Sequence, residues 1–160
     1  MTALFPHDEV GMIAPPPVIY AVPLAAAWLL QRVYPLTMGG SETRGVRTVI
    51  FVVGLVLGIG LGLSGVAWFA MRGTPVVPLR PTTAIVRGGP YRFTRNPMYL
   101  GFTIASIGIA VGMNTWWALL LLPFAVVAID RGVIAREERY LHAKFGDEYD
   151  DFIRSVRRWI

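Results

Sequence analysis

Four apolar runs, separated by polar or proline-rich breaks, order the chain. The first extends from about Val18 to Leu36, is broken by Pro23, and is edged by Tyr20, Trp28 and Tyr34, whose rings suit a membrane interface. The second, about Val46 to Met71, is long enough to cross a bilayer with tilt. The third begins at Pro97, a favoured first helical position, and ends near Met113. The fourth runs from about Trp116 into Arg131 and continues as a polar helix. Asn114-Thr115 is the only polar break between the third and fourth runs, which predicts a tight antiparallel hairpin. The pattern predicts an all-α, polytopic helical membrane protein with about four transmembrane helices and a C-terminal amphipathic cytoplasmic helix. Residues 1–73 form an N-terminal transmembrane helix pair, and residues 74–160 a loop, a helical hairpin and a C-terminal region, all in one integrated membrane domain.

The polar end has its own punctuation. Arg136 to Phe145 reads as a helix that Gly146 stops, and Asp147 is placed to cap the next one. Glu148, Asp150 and Asp151 lie near the positive end of that helix and Arg154, Arg157 and Arg158 toward its negative end, in agreement with its macrodipole. Tyr149, Phe152, Ile153, Val156 and Ile160 recur at helical spacing as one apolar stripe. The plain reading is a helix lying on the membrane surface; the sharper one is a lid over a cytoplasmic pocket.

Composition narrows the class. The 160 residues are 54% hydrophobic and 16% charged, with a mean hydropathy of +0.54, whereas a soluble domain carries about 25% charged residues. The surplus apolar surface is assigned to lipid. Met1 to Pro17 carry Asp8 and Glu9 and no basic n-region, which argues against a cleavable signal peptide. Without Cys there is neither a disulfide framework nor a thiolate site, and His7 and His142 lack ligand spacing, so no metal is expected. The net charge of +5 and pI near 10.1 are read as cytoplasmic Lys/Arg rather than as a nucleic-acid surface. If the N-terminus, the central loop and the C-terminal tail share one side, that side holds 12 of the 15 Lys/Arg, leaving Arg32, Arg44 and Arg47 opposite. Both termini are therefore expected in the cytoplasm, with the protein integral to a bacterial inner membrane or its equivalent.

Gly60-Leu61-Gly62-Leu63-Ser64-Gly65 matches GxGxxG literally, but a dinucleotide fingerprint must follow a strand and open a helix, and this one sits inside an apolar span. Gly54, Gly58 and Gly62 instead recur every four residues, the spacing that lets helix backbones approach. Packing within the monomer is the plainer use; a homodimer through this glycine face is the alternative.

Candidate chemistry concentrates in Gly88-Gly89-Pro90-Tyr91-Arg92-Phe93-Thr94-Arg95-Asn96-Pro97-Met98-Tyr99-Leu100-Gly101. Lipid tolerates irregular backbone only where protein or water covers it. Arg92 and Arg95 suit a carboxylate or phosphate, and Tyr91, Phe93 and Tyr99 offer faces to a flat ring, although headgroup anchoring explains the same composition. The second group is Glu137-Glu138 with Asp130 upstream on the same helical face; Asp130, at the end of an apolar span, needs a partner, for which Arg131 and Arg136 are at hand. A solvated helix laced with ion pairs is the plainer reading. Arg157, Arg158 and Trp159 read as an interface anchor.

Together, Gly89-Pro90-Tyr91-Arg92, Arg95-Asn96-Pro97-Met98-Tyr99-Leu100-Gly101, Glu137-Glu138, Leu141, Phe145-Gly146-Asp147-Glu148-Tyr149 and Val156-Arg157 resemble the isoprenylcysteine carboxyl methyltransferase family, which is itself similar to the membrane phospholipid methyltransferases. The resemblance covers roughly Thr74 to Trp159, about half the chain. It implies a helical membrane enzyme that uses S-adenosylmethionine without a Rossmann domain and acts on a lipid-like or prenylated small acceptor. Cofactor contacts carried over by position are Thr83, Ala84, Ile85, Val86, Tyr91, Arg92, Asn96, Pro97, Met98 and Tyr99. Glu137 falls on the acceptor side, with Glu138, Arg131 and Arg95 as further catalytic candidates. Two departures stand out. The family's Arg-His-Pro is Arg95-Asn96-Pro97 here, and the Arg some members carry one turn before the Glu pair falls on Val133. A carboxylate acceptor is ionised at neutral pH and calls for a cationic clamp, Arg131 or Arg95; an amine acceptor calls for a base, Glu137 or Glu138. A phospholipid N-methyltransferase, a membrane sterol reductase using NADPH, and a non-catalytic membrane scaffold are the alternatives.

Overall fold

The structure is a computed structural model that describes residues 14–73 and 83–160; the N-terminal segment with His7, Asp8 and Glu9, and residues 74–82 of the central loop, lie outside the described residues. All described secondary structure is helical. Helix α1 spans Pro16–Val33, α2 Arg44–Met71, α3 Pro97–Gly112, α4 Trp116–Ile129, α5 Ala135–Phe145 and α6 Asp147–Ser155. Short 3-10 turns at Ser41–Thr43 and Gly89–Arg92 precede α2 and α3, and a π-helical turn, Asp130–Ile134, joins α4 to α5.

Two helical stretches, Ser41–Met71 and Trp116–Phe145, are long and apolar enough to cross a bilayer. In the second the apolar part is α4, and charge begins at Asp130. Helix α3, with 16 residues, is apolar but shorter. Helix α1 is not broken at Pro23 but runs through it, as α4 runs through Pro123. Each proline removes one backbone donor, and packing of α1 along α4 holds the helices together across the gap.

The helices alternate in direction. At one end Tyr20 of α1 donates its hydroxyl to the carbonyl of Tyr99 at 3.2 Å and pairs with the hydroxyl of Thr103 at 2.8 Å. At the other end Trp116 N donates to Leu36 O at 3.0 Å and Trp117 Nε1 to Tyr34 O at 2.7 Å. The start of α1, the end of α2, the loop before α3 and everything after α4 thus gather at one end of the bundle. The most extensive contact is between α2 and α3, followed by α1 with α4; α1 and α2 barely touch.

The α2–α3 contact is made by small residues. A Cβ built on Gly58 would lie 2.6 Å from the Ala105 N and the Gly101 O, and one on Gly54 would lie 2.7 Å from the Gly108 Cα. The two backbones touch at Gly54 and Gly58, whereas a Cβ on Gly62 would meet nothing within 4 Å.

Asn114 closes the opposite end. It sits at φ +55°, a conformation that Asn tolerates better than most residues. Its Oδ1 accepts from Met38 N at 3.1 Å and Gly39 N at 3.2 Å, and its Nδ2 donates to Gly39 O at 2.9 Å. One side chain therefore pins the α1–α2 connection to the α3–α4 hairpin. Asn114→Ala is expected to cost about 2 kcal/mol, read as a lower midpoint of thermal unfolding in detergent.

Candidate functional site

The loop leaves α2 and is held against it by a steric lock. Gly89, at φ +50°, lies directly beneath Trp68, where a Cβ would fall 1.9 Å from the indole nitrogen. Pro90 and the 3-10 turn then carry Tyr91 inward, where it packs on Phe69 with ring centroids 5.4 Å apart. Pro97 opens α3 and is fully buried. Between them Thr94 and Asn96 are buried polar residues, with Thr94 Oγ1 accepting from Asn96 N at 3.1 Å.

Helix α5 answers the loop. The Tyr99 hydroxyl donates to Glu137 Oε1 at 2.8 Å, and Arg95 Nη1 lies 3.1 Å from Glu138 Oε1, with both side chains of that pair largely buried. The basic, aromatic loop and the twin glutamates therefore meet in space. The two carboxylates diverge: Glu137 faces the tyrosines, and Glu138 faces Arg95 and Arg158. Burial pushes the Glu137 carboxyl up to about 7; the Tyr99 hydrogen bond opposes that and the neighbouring Glu138 charge adds to it. Burial likewise raises the Tyr91 hydroxyl, with the Glu137 charge as the lesser cause. Tyr149 is pushed up to about 12 by burial and then by the charge of Glu138, against the pull of Arg95.

Not every polar atom here is satisfied. Among the described residues the Tyr91 hydroxyl, on a residue 4% exposed, and Arg95 Nε are buried without a hydrogen-bond partner. Buried orphans of this kind need a reason, and here one lies beside Glu137 and the other on the residue paired with Glu138.

Helix α6 roofs the loop rather than turning its apolar side outward. Tyr149 and Phe152 are buried against Val86 and Tyr91, with Ile85, Leu141 and Val156 around them. Arg87 lies over the Phe152 ring at 5.7 Å and donates to the Glu148 carbonyl. The expected stripe does not hold as one face. The helix ends at Ser155, Val156 is extended, and Ile160 is 79% exposed. Asp147 is the first residue of α6 and makes no capping hydrogen bond; Gly146, at φ +50°, both stops α5 and precedes α6.

Of the residues singled out from sequence, Tyr91, Asn96, Pro97, Tyr99, Glu137, Glu138 and Arg95 come together, and Val86 and Ile85 line the cluster behind Tyr91. Met98 faces the apolar side. Thr83, Ala84 and Arg92 are exposed. Arg131 is exposed on the π turn, its side chain paired with nothing among the described residues, and it is not brought to Glu137. Asp130 pairs with Arg158, at 3.1 Å, and accepts from Trp159 Nε1 at 2.9 Å. The tail that sequence reads as an anchor is thus part of the site. Nothing local marks it, because 28 residues separate Arg158 from Asp130.

Beside this chamber lies a groove of about 450 Å³ between α1 and α2 with α3 as its floor, lined by residues such as Tyr20, Leu24, Ile59, Leu63, Met98 and Phe102. Its walls are almost wholly apolar. Met98 and Gly65 link it to the polar chamber, since a Cβ on Gly65 would lie 3.0 Å from Met98 and 3.4 Å from the Tyr91 hydroxyl.

Comparison with known proteins bears on this arrangement. The family model described as phospholipid methyltransferase matches residues 46–148, from α2 to the start of α6. An uncharacterised protein of Haemophilus influenzae is 36% identical over 63 residues, which are 39% of this chain and the whole of that protein. The protein-S-isoprenylcysteine O-methyltransferase of Schizosaccharomyces pombe is 31% identical over 72 residues, 45% of this chain but only 30% of that enzyme.

Proposed function

We propose that this chain, which belongs to the phospholipid methyltransferase family, transfers a methyl group from S-adenosylmethionine to a lipid-like acceptor held at the membrane by four spanning helices, α1 to α4. One observation supports the reading: Glu137 and the buried, unpartnered Tyr91 hydroxyl lie together next to an apolar groove, and a second unpartnered buried donor, Arg95 Nε, belongs to the residue paired with Glu138. The donor set fits such a cofactor. Tyr91 supplies a hydrogen bond to its carboxylate or hydroxyl oxygens, and the aromatic wall of Tyr91, Phe69 and Tyr149 supplies flat surface.

When bound, S-adenosylmethionine brings a methyl group already activated by its sulfonium. What is left to the protein is orientation and the exclusion of water, which can be worth several kcal/mol. Tyr99 holds Glu137 from one side and α6 covers the loop from above. The groove accepts an alkyl or prenyl tail and points its head toward the chamber. An acceptor carboxylate enters the reaction ionised, and Arg95 Nε is the buried donor placed to receive it. This supports an isoprenylcysteine-like O-methylation as the first reading. An amine acceptor is the second, favoured by the Glu137 carboxyl held at about 7, where it can take up the amine proton near neutral pH.

The test is a calorimetric titration of the purified protein with S-adenosylhomocysteine and with NADPH. S-adenosylhomocysteine is expected to bind and NADPH not to. Binding of NADPH alone would overturn the methyltransferase reading in favour of a reductase, and binding of neither would favour a membrane scaffold. Radiolabelled methyl transfer to a prenylated cysteine or to an aminophospholipid then separates the two acceptors. Tyr91→Phe adds a discriminating prediction. It removes a hydroxyl with no partner in the free protein, so thermal stability is expected to hold or rise slightly while S-adenosylhomocysteine binds about tenfold more weakly.

A further inference from the structure

Arg158 lies beyond the residues matched to the family and touches neither Glu137 nor the tyrosines, yet it makes more ties at this end of the bundle than any neighbour. Its Nε and Nη2 donate to the two carboxylate oxygens of Glu138, the former at 3.1 Å. Its Nη1 donates to Asp130 at 3.2 and 3.1 Å. Its own carbonyl accepts from Thr94 Oγ1 at 3.1 Å and Asn96 Nδ2 at 2.9 Å, while the preceding carbonyl, of Arg157, accepts from Arg95 N at 2.9 Å. The side chain thus joins two carboxylates that lie on either side of the π turn, and the main chain joins both to the ligand loop.

The position of those carboxylates gives the arrangement its meaning. A π turn adds a residue to the helical path, and one residue is about 100° of helical rotation. Whether the turn is kept or absorbed decides which side of α5 looks at Tyr99. With the turn kept, Glu137 reaches the Tyr99 hydroxyl at 2.8 Å; rotated by about 100°, it would point away. Asp130 opens the turn and Glu138 follows it by four residues, so a guanidinium that holds both fixes the turn in its wound state. A planar fork is suited to that; an ammonium, as a point charge, is not. The same pairing raises the Arg158 guanidinium further above its ordinary range, chiefly through Glu138.

We propose that Arg158 is a positioning residue: by clamping Asp130 and Glu138 across the π turn it sets the face on which α5 presents Glu137 to the chamber. The predicted effect on catalysis rests on the methyltransferase reading; the predicted effect on the turn does not.

The experiment compares wild type, Arg158→Gln, Arg158→Lys and Asp130→Asn by amide hydrogen exchange and by methyl-transfer kinetics on the full chain in nanodiscs. In Arg158→Gln, amides of residues 130–138 are expected to exchange about tenfold faster while those of α2 and α3 hold their protection. On the kinetic side kcat is expected to fall on the order of 100-fold, with the acceptor KM changed only a few-fold. Arg158→Lys should rescue neither readout, and Asp130→Asn combined with Arg158→Gln should add little to Arg158→Gln alone. Unchanged exchange at 130–138, full rescue by Lys, or a loss seen in KM alone would each overturn the proposal. Should Arg158→Gln not fold, Asp130→Asn removes one arm of the clamp and decides by the same exchange readout. A wild type that neither binds S-adenosylhomocysteine nor transfers methyl would sink the enzymatic reading, and the exchange data would still decide the clamp.

Discussion

With an amine acceptor, Glu137→Gln is expected to lower methyl transfer by about a hundredfold or more while the protein stays folded. The amide keeps the size of the side chain and can still accept from Tyr99, so what is lost is the charge and the ability to take a proton, effects worth 10²–10⁴ in rate for a positioned acid or base. The pH profile gives a second reading of the same variant. With an amine acceptor, the wild-type rate should rise as the Glu137 carboxyl ionises through about 7 and then level off, and this limb should vanish in the Gln variant. With a carboxylate acceptor no such limb arises from this group.

Stability moves in the opposite sense. The folded protein holds the Glu137 proton more tightly than the ordinary value of 4.5 allows. The stability gained from the neutral form is therefore complete below about 4.5 and is lost as pH rises through about 7. Wild type should lose up to about 3 kcal/mol relative to Glu137→Gln across that window. Unfolding midpoints taken at pH 5 and pH 8 check it, and identical slopes for the two proteins would refute it.

The largest structural effect is expected at Gly58. A leucine there must place its Cβ 2.6 Å from backbone atoms of α3, and backbone cannot swing aside as a side chain can. Separating α2 from α3 also moves both ends of the loop, so Gly58→Leu should cost more than the roughly 1–3 kcal/mol of ordinary overpacking and should abolish ligand binding as well. Gly60→Ala is the control. Its Cβ would meet nothing within 4 Å, and replacing a helical glycine should stabilise by up to about 1 kcal/mol. If both substitutions behave alike in thermal unfolding, the backbone contact between α2 and α3 is not what holds this bundle.

What could be read from sequence follows the physics of each feature. The helices α2, α3 and α4 were legible because lipid-facing or core-facing residues form uninterrupted apolar runs, and the α3–α4 turn because Asn114-Thr115 breaks one. The glycine spacing on α2 was legible because close helix approach has a local signature. Gly146 was legible as a stop because a positive φ is hard for other residues. The loop and the Glu pair were brought together by resemblance, since no periodicity connects Tyr99 to a residue 38 positions away. The continuity of α1 through Pro23 was not legible, because it depends on tertiary packing that overrides the local break. Nor was the π turn, whose residues Gly132, Val133 and Ile134 carry no sign of the extra residue and are simply buried. Arg158 was hidden for the reason most long-range ion pairs are hidden: a basic residue near a tail looks the same whether it greets a phosphate or a distant aspartate.

The intimacy of α2 with α3 has a mechanical consequence. Both shores of the central loop, Met71 on one side and Pro97 on the other, belong to a single post whose halves are in backbone contact at Gly54, Gly58, Gly101 and Gly108. Such a post does not scissor. On the proposed function, an acceptor would enter on the other side of α2, where α1 hardly touches it and the apolar groove lies between them.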